Sequence, residues 1–259
     1  LDDLFTETVP EVLNDFAKEM KRIDVEVPIT ARPLSFGNWI GGDRDGNPNI
    51  TAEVTKSAVH LQNSHFTRTL FSHLDELVQA ISISSKLAGV STELEKSLSQ
   101  DLDNLPEIEG RYRRINIEEP YRLKATAIRH KLTLTQARHA AGLAHTPGRD
   151  YKDTAELLSD FEVMRKSLIA NNGELIASGL FARITRAITA FGLTHATMDI
   201  REHSDAHHRF ITQVFGSSTP ELINNEIASA KLTEVKNLNE DSAKCFNTFL
   251  VINELIDQF

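Results

Sequence analysis

The stretch Trp39-Ile-Gly-Gly-Asp-Arg-Asp-Gly-Asn-Pro48 packs three glycines, a proline and three charged residues into ten positions. Such a density of glycine and proline rules out a regular element through it. Leu34-Ser-Phe-Gly-Asn-Trp39 before it reads as a short strand, and Thr51 behind it opens a long amphipathic helix. Short strand, glycine turn and helix make a βα unit, which presents polar groups at the carboxyl end of its strand. The glycines allow backbone angles closed to other residues and a close approach to a ligand or to another backbone. The residues alone name no ligand.

At 259 residues the chain is one large domain or two small ones. Its formal net charge of −9 is the reverse of what a nucleic-acid-binding surface needs, and it calls for no anionic membrane as partner. Cys245 is the single cysteine, so no intramolecular disulfide can form, which fits a reducing compartment; its simplest reading is a small buried apolar residue. No apolar run approaches the ~20 residues that span a bilayer, and Leu-Asp-Asp-Leu-Phe at the start is no signal peptide. A soluble, cytoplasmic protein is expected. The absence of an initial methionine and the ending at Asp257-Gln-Phe259 suggest a piece of a longer protein.

Apolar spacing predicts a helix over 8–20, with Pro10 in its first turn, followed by extended chain from Ile23 to Pro33. Thr51 can cap the next helix, with Glu53 in its first turn. Its stripe of Val54, Ala58, Leu61, Phe66, Leu70, Leu74, Leu77, Val78 and Ile81 runs to about Ser84. A shorter helix is predicted over 92–102, a polar arginine-rich loop over 103–117, and a helix from Pro120 to Ala141. Thr146-Pro-Gly-Arg-Asp150 is turn chemistry. Asp153 and Glu156 form a capping pair for a helix to Ala170 that ends at Asn171-Asn-Gly173. One helix is expected over 174–190, with Gly192 beyond it. Leu193 to Ile200 breaks the helical period and reads as a second strand; helix resumes at His203, and two weaker helical segments follow Pro220. The fold class expected is therefore mainly α with a few short strands, near 34–40 and 193–200, in a single segment 1–259 with no internal domain boundary. Two parallel strands make no stable sheet by themselves, so further strands are expected in sequence outside this chain.

Asp43, Asp45 and Asn47 imitate the first ligands of a calcium-binding EF-hand, but the required glycine falls on Pro48 and the bidentate glutamate on Val54. The Gly-Lys-Ser/Thr ending of a Walker loop is also missing. What remains is a loop whose Asp and Arg residues either pair among themselves or line a site. Arg201, in Met198-Asp-Ile-Arg-Glu-His-Ser-Asp-Ala-His207, stands where the second strand gives way to its loop. It can hold a phosphate or carboxylate through two parallel hydrogen bonds, or pair structurally with Asp199 or Glu202. His203 and His207 are one helical turn apart and could share a metal, but Ser204 stands where a zincin helix carries Glu. Hydrogen-bonding or surface histidines are the other reading. Arg111, Arg113 and Arg114 around Tyr112 read as a solvated loop or as a contact for an anionic effector or subunit.

Two motifs then coincide. Phe36-Gly-Asn-Trp-Ile-Gly-Gly-Asp-Arg-Asp-Gly-Asn-Pro-Asn-Ile-Thr51 resembles the signature loop of phosphoenolpyruvate carboxylases. Phe191-Gly-Leu-x-x-Ala-Thr-Met-Asp-Ile-Arg-x-x-Ser-x-x-His207 is similar to the family's second landmark, and Glu119-Pro-Tyr-Arg122 looks like a family feature between them. The resemblance runs from about Pro33 to His207 and is looser beyond Phe215, where Phe246 to Leu255 looks like a family helix.

The resemblance implies an internal fragment of a helix-rich (β/α)8 barrel enzyme of the bacterial type, cytoplasmic and homotetrameric, that adds bicarbonate to phosphoenolpyruvate to give oxaloacetate and phosphate. It implies Mg²⁺ or Mn²⁺, with ligands outside this segment, and none among these residues. Arg201 falls on the arginine that contacts the substrate phosphate and takes the catalytic role. The loop residues Gly41, Gly42, Asp43, Arg44, Asp45, Gly46 and Asn47 form a substrate-binding wall, with Asp199 and His207 in support. Glu202 departs from the family's glutamine. The family's upstream catalytic histidine motif and downstream metal-binding acids and glycine-arginine loop are absent, so the isolated piece is expected to be inactive. A non-enzymatic helical interaction protein and a His-rich metal-binding module are the alternatives.

Overall fold

The computed structural model describes residues 7–108, 110–216, 219, 221 and 237–259; the side chains of 111–113 lie outside that description. The described chain is mainly helical, and its contacts divide it into two compact units. One holds the residues up to Phe36, Gln62–Ala196 and Phe259; the other holds Gly37–Leu61 and Thr197–Gln258. No linker composition marks the four points at which the chain passes from one unit to the other.

The first unit is built from helices: α1 (Val9–Lys21), the greater part of α2 (Ala52–Ala80), α3 (Thr92–Asn104), α4 (Gly110–Ile115), α5 (Pro120–Ala141), α6 (Thr154–Ala170), α7 (Glu174–Ser178) and α8 (Leu180–Phe191). Local chemistry starts and stops them, at Pro10, Pro120 and Asp153 as the sequence predicts. Ser91 caps α3 through Leu94 N–H, Asp153 caps α6 through Glu156 N–H, and Pro10 and Pro120 occupy first turns. Gly142, at φ 62°, closes α5 in the left-handed conformation. Phe66, Leu70, Leu74 and Leu77 give α2 one buried stripe, which with Ile81 just past its end joins Leu157, Phe161, Met164 and Leu168 of α6 and Phe181, Ile184, Ile188 and Phe191 of α8 in a single core. Each such side chain contributes about 1.5–3 kcal/mol.

Three local expectations need correction. The stretch 103–117 is not all loop, because 110–115 forms α4. The helix expected over 174–190 is two, broken at Gly179, whose φ −89° and ψ −121° fit neither helix. Val54 and Leu61 are not core positions: they are 38% and 68% exposed, and this end of α2 buries Thr55 and Asn63 instead. Of the two helical segments expected after Pro220, the first lies outside the described residues.

The second unit pairs β1 (Gly37–Asn38) with β2 (Thr197–Met198) in parallel, Gly37 opposite Thr197 and Asn38 opposite Met198. Both strands are shorter than the sequence suggests. Each is followed by a helix: β1 by α2, and β2 by α9 (Ser204–Phe215). α9 packs on α10 (Glu240–Gln258), where Cys245 is buried as expected.

Candidate functional site

The two motifs meet at the carboxyl ends of β1 and β2. Beyond the paired residues, Asp199 N–H donates to Asn38 O at 2.8 Å. Arg201 N–H donates to Gly42 O at 3.0 Å, and Arg44 N–H donates to Arg201 O at 2.8 Å, which makes a parallel bridge between Asp43 and Arg201. Residues 158 positions apart are thus joined main chain to main chain.

The glycines make this approach possible. A Cβ on Gly42 would stand 2.2 Å from the Asp199 carbonyl oxygen. One on Gly41 would stand 2.6 Å from Ala58 Cβ, and Gly41 has φ 82° besides. What the two glycines admit is therefore neighbouring protein. A Cβ on Gly46, also at positive φ, would meet nothing within 4 Å, and Gly46 is exposed together with Asp45 and Asn47.

The charged residues separate sharply. Arg44 is 8% exposed; its Nη1 donates to Gly42 O at 3.2 Å and its Nη2 to Thr55 Oγ1. Burial pulls its pKa below the usual guanidinium value, against the attraction of Glu202. Arg201 has the opposite environment. Its side chain is 57% exposed, and its Nη1 donates to Asp43 Oδ2 at 3.2 Å. The ion pair expected with Asp199 or Glu202 is made with Asp43 instead. The other Asp43 oxygen accepts from Asp45 N–H at 3.3 Å, so the carboxylate is fixed from both sides. Among the described residues Asp43 is the only side-chain partner of Arg201, which leaves four of its five N–H groups uncommitted.

Asp199 lies exposed beside Gly37. His203 caps α9, its Nδ1 accepting from Asp205 N–H at 3.2 Å, while His207 Nδ1 lies 3.6 Å from Cys245 Sγ. The two imidazoles face different partners, and among the described residues no three His, Cys, Asp or Glu side chains converge as a metal set. Glu202 accepts from His203 N–H at 2.9 Å, and burial, with the Glu202 charge adding to it, pushes the Cys245 thiol pKa up. Sequence reasoning missed Thr55. Its signal is a threonine one turn after the cap Thr51, on the face where an apolar residue would be expected.

The Glu119–Arg122 element belongs to the first unit and serves the scaffold. Arg122 Nε donates to Val78 O at 3.0 Å and Nη1 pairs with Glu119, while Tyr121 OH meets Ser167 Oγ at 2.8 Å. Arg114 is exposed, and the side chains of Arg111 and Arg113 lie outside the described residues.

Parallel strands whose carboxyl ends carry a glycine turn and a partly committed arginine, each strand leading into a helix, have the layout of the ligand-binding end of a βα enzyme. Comparison with known proteins narrows that class. The chain matches the family profile described as phosphoenolpyruvate carboxylase over residues 1–235. It is 34% identical over 223 residues to the phosphoenolpyruvate carboxylase of Bradyrhizobium diazoefficiens, covering 85% of this chain and 23% of that protein. Against the phosphoenolpyruvate carboxylase of Roseiflexus castenholzii it is 38% identical over 191 residues, covering 71% of this chain and 20% of that protein. This chain belongs to the phosphoenolpyruvate carboxylase family. It spans about a fifth of the length of these relatives. No helix among the described residues is long and apolar enough to cross a membrane.

Proposed function

We propose that this chain is part of a phosphoenolpyruvate carboxylase, the enzyme that joins bicarbonate to phosphoenolpyruvate and releases oxaloacetate and phosphate, and that Arg201 binds the phosphoryl group of the substrate. The observation carrying this reading is the bridge from Asp43 to Arg201, which brings the two family-like motifs to one edge and leaves a guanidinium with uncommitted donors there. A guanidinium fork matches phosphoryl oxygens in shape and charge and can stabilise charge that shifts among them during transfer. Asp43, tied to Asp45 N–H, fixes one arm of that fork. Gly41 to Asn47 form the wall of the same site.

In this reading β1 and β2 are two strands of the parent's (β/α)8 barrel, in a cytoplasmic homotetramer. The Mg²⁺ or Mn²⁺ of the parent would polarise the substrate and stabilise an enolate. Asp43 is already engaged, and among the described residues no three His, Cys, Asp or Glu side chains converge as a metal set, so the residues here do not suit that metal and no step of theirs runs through it. The segment alone is inactive in this reading.

Two assays test it. The full-length parent should form oxaloacetate from phosphoenolpyruvate only when bicarbonate is supplied. In that protein Arg201→Ala should lower kcat/KM for phosphoenolpyruvate by about a hundredfold or more. A near-normal rate in the variant would remove Arg201 from the site.

A further inference from the structure

Thr55, in the first turn of α2, is 1% exposed, and its hydroxyl sits at a junction. Oγ1 accepts from Arg44 Nη2 and donates to Gly41 O at 2.6 Å, closer than the Thr51 carbonyl of its own helix at 3.2 Å. Arg44 reaches Arg201 by two routes. Its main-chain N–H donates to Arg201 O, and its Nη1 shares the Gly42 carbonyl with Arg201 N–H. A guanidinium that cannot lose its charge is thus buried against neutral acceptors, at a cost that closing a turn would not require.

We infer that Arg44 and Thr55 are a positioning pair for the reaction: together they hold Gly41 to Arg44 against the main chain of residue 201 and so set where the Arg201 side chain starts. The inference rests on the proposed role of Arg201. Removing the Thr55 hydroxyl leaves Gly41 O and one arm of Arg44 unpaired in a buried place, while the Arg201 side chain itself is untouched. The phosphoryl grip should loosen, and the handling of bicarbonate should not.

The test uses the full-length parent with Thr55→Val, Thr55→Ser, Arg44→Lys and Arg201→Ala. Four quantities are measured: kcat, the KM for phosphoenolpyruvate, the KM for bicarbonate, and the inhibition constant of phosphoglycolate as an unreactive phosphate-carboxylate probe. Thr55→Val should raise the phosphoenolpyruvate KM and the phosphoglycolate constant about 10- to 100-fold and leave the bicarbonate KM unchanged. Thr55→Ser, which keeps the hydroxyl, should restore both to within about threefold. Arg44→Lys keeps the charge but loses the planar fork whose separate arms reach Gly42 O and Thr55 Oγ1, so it should behave like Thr55→Val and supplies the result if the valine variant fails to fold. Wild-type constants in Thr55→Val or Arg44→Lys overturn the inference, as does a serine variant as impaired as the valine one. A normal rate in Arg201→Ala overturns the reading on which it rests. A defect confined to Arg201→Ala overturns this inference alone.

Discussion

The two units use charge in opposite ways. In the first, Lys124 is fully buried, and its ammonium meets Ser97 Oγ at 2.7 Å, Asp101 Oδ2 at 2.5 Å and Asp160 Oδ1 at 2.6 Å. Lys131 reaches the other oxygens of the same two carboxylates at 2.5 and 2.9 Å and lies over the ring of Tyr151, whose hydroxyl donates to Asp160 at 2.8 Å. Two cations and two anions cancel, and all three N–H donors of Lys124 are used. In the second unit Arg201 keeps most of its donors, and its one carboxylate partner is fixed from the far side. Saturated charge specifies a fold. Charge left partly unsatisfied at a strand end is available to a ligand.

The contrast can be broken most severely at Lys124. Lys124→Ala strands two buried carboxylates with one ammonium and should cost about 3–5 kcal/mol, read by denaturant unfolding. An effect below about 1 kcal/mol would mean that water replaces the ammonium and that the network is not sealed. In the second unit the largest loss should come from main-chain packing instead. Gly42→Ala, which sets a methyl against the Asp199 carbonyl, should cost about 1–3 kcal/mol.

Acid should find the first unit next. Burial works to raise the Asp160 pKa, but Lys124 and Lys131 outweigh it and hold the carboxyl below its usual range. A depressed folded pKa contributes stability that is present above the unfolded value near ~3.9 and lost as pH falls through the folded one. The Lys131 pKa moves the other way. Burial opposes the ammonium, Asp160 and Asp101 prevail, and the raised value gives stability lost only as pH climbs past the usual lysine range. The Asp160 contribution should therefore be constant near neutrality and be lost below about pH 4, with Asp160→Asn flattening that part of the acid limb. Arg201→Ala should do least to stability, about 0–1 kcal/mol, since its pair with Asp43 is exposed. A larger loss would place Arg201 among the structural charges after all.

The sequence made legible what depends on near neighbours. The Asp153 cap and the first-turn prolines Pro10 and Pro120 are short-range chemistry, and α1, α5 and α6 begin accordingly. Elements that depend on distant partners were harder to read. Only two residues of each predicted strand pair, because a strand exists where another backbone meets it. Gly179 breaks a stretch whose apolar period continues across it, and Val54 fits the stripe of α2 although that end of the helix faces loop carbonyls. At the candidate site, the motifs placed Arg44 and Arg201 together as binding residues. Their different surroundings follow from folds of the main chain that no spacing encodes, and Thr55 carries no motif at all.

The bridge between Asp43 and Arg201 also makes chain length a chemical variable. Successive residues beside a strand face alternate sides, so a slip of one position between residues 42 and 44 would turn the Asp43 carboxylate away from the Arg201 guanidinium. Substitutions in this loop can be graded by size and polarity. An insertion or deletion would act all at once, removing the carboxylate that steadies the cation while leaving Arg201 itself unchanged.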